Sequence, residues 1–184
     1  MAKRAKSSVG WANLKATLKN CPAPGLIALL QELYELDGVN RTFLHARLLP
    51  DKPEVAIDES KKKLRQILSV NSAFDGHFKH SDAKRVIDQF AKASDDAVNL
   101  ADFLLSDLEM SFETLGEIGD FVPMVDHIYI ALNRLDEIKA DLPDEAMGPI
   151  LQRIGDLARR WDGKFGYGLS DELRGFAQTW KEAR

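Results

Sequence analysis

Apolar residues recur every three to four positions along almost the whole chain, and no run alternates apolar with polar over a useful length. A half-buried strand needs a period of two, whereas a helix needs 3.6. The pattern therefore predicts an all-α protein. Its punctuation agrees: Pro22-Ala23-Pro24-Gly25, Asp37-Gly38, Pro50 to Pro53 and Pro143 all fall where a helix must stop.

Between these breaks the spacing predicts about eight or nine helices. The first covers 8–19, with Val9, Leu14 and Leu18 anchored by Trp11. The second runs from Leu26 to Leu36, and Ile27 and Tyr34 widen its leucine face until most of its circumference is apolar. Such a helix is expected to be central: it lies deep in a core or sits in a dimer interface. Asn40 is the expected N-cap of a third helix, whose Phe43 and Leu44 should face the core. Further helices are expected from Ile57 to Val70, from a Ser81 cap through Phe90, over 95–115, from Phe121 to Leu142, from Met147 to Trp161, and from a Ser170 cap to Trp180. Residues Asn71 to His80 read as a loop, and 162–168 as a glycine-rich turn.

Helices of this length joined by short turns are mostly antiparallel neighbours. The fold class is thus an irregular all-α array, either a bundle or a short HEAT-like solenoid. No internal repeat of fixed period supports true repeats. The organisation expected is a basic flexible tail over 1–7 followed by a single helical domain over 8–184.

With 45% apolar and 29% charged residues in 184, the chain can bury a core and is not disordered as a whole. The single cysteine, Cys21, excludes an internal disulfide, fits a reducing compartment and has no activating neighbour. The basic start lacks the apolar stretch of a secretory signal, and no run has the length of a membrane span. A cytoplasmic location with no membrane partner is the expectation.

Charge is unevenly spread. Residues 1–94 hold 16 Lys+Arg against 10 Asp+Glu, a net +6, and the remainder is net −10. This fits an acidic partner such as nucleic acid for the first half, attraction between the halves, or no function.

Three segments carry a resemblance: Trp11 to Lys15 running into Leu26 to Tyr34; Asn40-Arg41-Thr42-Phe43-Leu44-His45-Ala46-Arg47; and Phe165 to Leu173 with the late Trp180. Together they resemble a family of uncharacterised bacterial all-helical proteins with an Asn-x-x-Phe-Leu-x-Ala-Arg pattern. The resemblance implies a helical fold and a bacterial origin and carries no reaction.

The polar groups that could carry chemistry are few. Tyr34, Arg41, His45 and Arg47 form the leading candidate surface for a partner or ligand. Arg47 follows Phe43 at i+4, and an arginine there can fork a carboxylate or phosphate, although an internal acid would serve equally. Lys61, Lys62, Lys63 and Arg65 form a basic run suited to phosphates, but without interleaved aromatics it also reads as a solvated face. His77-x-x-His80 with Asp75 lacks a fourth metal ligand. Asp126-His127 cannot converge on one ion, and Glu109, Glu113 and Glu117 share what reads as a solvated helix face. The Phe165-Gly166-Tyr167-Gly168 turn lacks the Gly-Lys-Ser/Thr of a phosphate loop. No catalytic residue, metal or cofactor is assigned, and the balance is against an enzyme. The expected function is a helical protein-binding or scaffold module with an unidentified protein partner, homo-oligomerisation being open. The alternatives are a nucleic-acid binder using the basic first half, or an enzyme of unknown class holding an anionic ligand at Arg47.

Overall fold

The computed structural model of the chain describes residues 10–166 and 168–182. The expected basic tail over 1–7 and Tyr167 lie outside the described residues. The described residues are mostly helical, with ten α-helices, one short 3-10 turn and no strand among them. The all-α class stands. Contacts divide the chain into two compact units, Met1–Arg41 and Thr42–Arg184.

The first unit contains α1 (Trp11–Lys19) and α2 (Ala23–Leu36), followed by the start of α3 (Gly38–Leu48). Pro24 sits in the first turn of α2, where its missing N–H costs nothing. Asp37 rather than Asn40 opens α3: its Oδ1 accepts from the Val39 N–H at 2.9 Å. Asn40 lies inside the helix, and its side chain donates to the Leu33 carbonyl at 2.9 Å. Of the two places expected for α2, deep in the core of this chain is not where it lies, because no residue of α1 or α2 is buried. Apolar periodicity reports which face needs cover, not whether the chain supplies it.

The second unit holds the core. Its spine is α7 (Ala97–Ile118), started by Asp96, whose Oδ1 accepts from the Val98 and Asn99 N–H groups at 2.8 and 3.2 Å. Twelve of its 22 residues are buried, so it is covered on several sides rather than along one stripe. The covering helices are α4 (Pro53–Ile67), α6 (His80–Ala93), α8 (Val122–Glu137) and α9 (Asp144–Arg160), with α10 (Leu169–Glu182) packed on α9. Leu100, Phe103, Leu104, Leu108, Phe112 and Leu115 of α7 meet Leu64, Phe90, Ile128, Leu132 and Ile154 in one cluster. Each such side chain stabilises the fold by about 1.5–3 kcal/mol relative to exposure.

Several local expectations are corrected. The segment expected as a loop from Asn71 contains a further short helix, α5 (Val70–Phe74), capped by Ser69, whose Oγ accepts from the Ser72 N–H at 3.2 Å. Ser81 and Ser170 are not caps, since α6 and α10 each begin one residue earlier. Ser170 instead ties the preceding turn shut, its Oγ donating to the Trp161 carbonyl at 3.0 Å and accepting from the Gly163 N–H at 3.1 Å. Gly163 and Gly168 there have φ of 66° and 68°, a backbone region where a side chain is strained. Phe43 does not face the core and is 45% exposed, while its neighbour Thr42 is the buried residue of α3.

Candidate functional site

In the first unit the feature that stands out is uncovered apolar surface. Trp11 and Leu14 of α1 are 67% and 51% exposed; Ile27 and Leu36 of α2 are 65% and 78% exposed. Leu29, Leu30, Leu33 and Tyr34 are also exposed. Leu26, Leu29, Leu30, Leu33 and Leu36 recur at three- and four-residue spacing, so α2 presents a continuous ridge. α1 and α2 do not pair into a hairpin, which would have hidden part of it.

The four residues expected to form a partner surface divide between the two units. Tyr34 and Arg41 belong to the first. The Arg41 guanidinium sits 6.0 Å from the Tyr34 ring centroid, and its Nη1 donates to the Tyr34 carbonyl at 3.4 Å. His45 and Arg47 belong to the second. His45 Nδ1 lies 3.5 Å from Glu59 Oε2, which also accepts from Thr42 Oγ1 at 3.3 Å. Arg47 pairs with Asp95, donates through Nη2 to the Lys92 carbonyl at 3.1 Å, and lies 5.7 Å from the Phe43 ring centroid. Arg47 edges a cleft of about 320 Å³ whose polar lining is Ser94, Asp95, Asp96 and Asn99. Two carboxylates on that rim oppose an anion, so the arginine acts there as a latch between α3 and the end of α6 with the connection that follows it.

The basic run is split by helix geometry. Lys61 points toward α7, with Nζ 2.8 Å from Asp102 Oδ2, while Lys62 and Arg65 are exposed and Lys63 is half-buried. Asp102 also receives Arg153 Nη1 at 2.6 Å, and the same arginine reaches Glu109 at 2.8 Å. This network joins α4, α7 and α9. Partial burial pushes the Asp102 carboxyl upward, but hydrogen bonds and charge from Lys61 and Arg153 hold it below its ordinary value. The expected solvated face of Glu109, Glu113 and Glu117 is thus partly engaged, since Arg160 also approaches Glu113 at 3.4 Å.

One pair is not visible from the sequence. His127 and Asp107 are both fully buried between α8 and α7, with His127 Nε2 at 2.9 and 3.0 Å from the two carboxyl oxygens. The edge of the imidazole also meets Phe78, with centroids 6.1 Å apart. The only signal in the sequence is one ionisable residue among the core-facing positions of each of the two helices. His77 and His80 are exposed, and among the described residues no cluster of three His, Cys, Asp or Glu could hold a metal.

The surroundings of Trp161 form a further aromatic group. Its ring lies 5.3 Å from that of Phe165 and 6.3 Å from that of Phe112, and Lys164 Nζ stands 4.8 Å from it. Among the described residues no helix is long and apolar enough to cross a membrane. No protein-family model matches the chain, and neither a curated protein sequence nor a solved structure matches it. What the fold and the sites define is the class alone, an all-α protein with an uncovered apolar surface on its first helices.

Proposed function

We propose that this chain is a protein-binding module that engages its partner through α1 and α2. The observation that carries this reading is the exposed ridge of α2 with Trp11 and Leu14 of α1, in a unit where neither helix has a buried residue. Helices of 9 and 14 residues are marginal in water on propensity alone and draw their stability from packing an apolar face. A partner that covers the ridge supplies that packing and stabilises these helices as it binds. Tyr34, backed by Arg41, lies on this surface, and amphipathic aromatics of that kind are favoured anchors in interfaces.

The alternatives gain less support. Arg47 already has an acid and a carbonyl as partners, which leaves it little capacity for an anionic substrate. Lys61, committed to Asp102, weakens the basic run as a phosphate-binding stripe.

The test compares wild type with Leu30→Glu and Ile27→Glu as baits, under matched loading, with the second unit's folding checked by circular dichroism. A partner retained by wild type and lost from both folded variants is the expected result. Equal retention by all three would refute α2 as the contact. Nucleic acid in the eluate, released by salt, would replace this reading with the basic-face one.

A further inference from the structure

We propose that the cleft edged by Arg47 is a binding site for a small organic amine with a compact apolar body. The site lies wholly within the second unit and does not depend on the protein-binding reading. Its volume of about 320 Å³ falls at the small end of the roughly 300–1,000 Å³ that ligand pockets span.

The walls hold the space open. Ala46, Pro50, Pro53 and Ala56 line the cleft over a floor made by Phe90. An alanine side chain stops at Cβ, and a proline ring is locked to its own backbone, so none of the four can swing inward to fill the void. Phe90 is held as well: it is buried, and its ring centroid lies 4.6 Å from that of Phe103. A cavity whose walls cannot relax exists before a guest arrives, and preorganisation of this kind favours binding.

The rim sets the chemistry. Arg47 pairs with Asp95 and donates to the Lys92 carbonyl, so its charge is answered within the protein. Asp96 differs. Its Oδ1 caps α7, but its Oδ2 has no partner among the described residues. The helix end sets only about half a positive charge against it, which leaves the rim net negative. Asn99, in the first turn of α7, is half-buried on the lining, and its side-chain amide has no hydrogen-bond partner among the described residues. An ammonium head can donate to the Asp96 carboxylate and to the Asn99 side-chain oxygen while an apolar body covers Phe90 and the prolines. An anion meets two carboxylates, with the Val98 and Asn99 N–H groups already taken by the cap. A neutral apolar guest gains the floor but little from the rim.

The test titrates the isotope-labelled full chain with benzylamine, and with benzoate and benzyl alcohol as its anionic and neutral counterparts, following amide resonances. Benzylamine is expected to saturate in the millimolar range and to move Ala46, Ala56 and Asn99 while leaving α10 unmoved. Benzoate should bind roughly tenfold more weakly or worse. Asp96→Asn keeps a residue favoured as a helix cap but removes the charge; it should weaken benzylamine roughly tenfold and leave benzyl alcohol unchanged. Ala46→Leu fills the cleft from a half-buried position and should abolish saturation, with unchanged α7 resonances showing that the second unit remains folded. Shifts that stay linear, or that fall outside the cleft, overturn the site. Benzoate binding as tightly as benzylamine overturns the charge argument and returns Arg47 to an anion. Benzylamine affinity unchanged in Asp96→Asn overturns the ammonium contact, and affinity unchanged in folded Ala46→Leu overturns the location.

Discussion

Replacing His127 with leucine should be among the most damaging single changes in this protein. Leucine fills much of the imidazole volume, so the cavity contribution is small. What remains is Asp107, fully buried and stripped of the Nε2 that stands 2.9 Å from one of its oxygens and 3.0 Å from the other. Removing one partner of a buried polar pair of this kind costs about 3–5 kcal/mol. Against a typical total stability of about 5–15 kcal/mol that is a large fraction, and for a chain of this size it lowers Tm by roughly 6–20 °C. Urea unfolding followed by circular dichroism gives the free energy directly. The reciprocal Asp107→Leu strands only an imidazole and should cost less, about 1–3 kcal/mol. The double variant, with both polar groups gone, should cost clearly less than the sum of the two. Additive losses, or a His127→Leu cost under about 1 kcal/mol, would mean that the pair is not what holds Asp107 in the core.

Two further outcomes follow from the second unit. Gly116→Ala would place a Cβ 2.6 Å from a ring atom of Trp161, and overpacking of that kind should destabilise by about 1–3 kcal/mol; Trp161→Leu in the same background should recover part of it in thermal melts. Asp102, held below its ordinary 3.8 by Lys61 and Arg153 against the opposing effect of burial, contributes stability that is fully present above that ordinary value and is lost as pH falls through its lower folded value. The stability gap between wild type and Asp102→Asn should therefore be widest near neutrality and close in acid, and a gap independent of pH would refute the assignment.

Much of the fold was legible because it follows from a period. The apolar stripes of α6 to α10 identified both the helices and their inward faces: Val86, Ile87 and Phe90, or Ile150, Ile154 and Leu157, are buried as their spacing requires. What the period could not provide was the difference between needing cover and having it. α2 and α7 are both apolar around much of their circumference, yet one is exposed and the other is the spine. That outcome depends on how many neighbours the chain folds around each, a property of long-range contacts rather than of the segment itself. The candidate site suffered from the same limit. For Arg47 the sequence left a ligand and an internal acid both open, and for Lys61 a phosphate or solvent; which acids take them up, Asp95 and Asp102, was out of reach because they are distant in sequence. Asp107 and His127 were invisible as a pair because 20 residues separate them and helical periodicity relates only residues a few positions apart.

The place of α7 in the middle of the chain also has a consequence for synthesis on the ribosome. When Ile118 emerges, α4 and α6 are already available to cover it, but α8 and α9 have yet to emerge. Roughly forty more residues must be translated before Arg160 appears, and at about 5–20 residues per second that leaves the far side of the spine bare for several seconds. Phe112, Leu108 and Leu115 are then a sticky surface without their final neighbours. The growing polypeptide is most vulnerable to misassociation in that interval, and a translational pause placed after α7 has emerged but before α9 has should lower the soluble yield more than an equal pause once Arg160 has emerged.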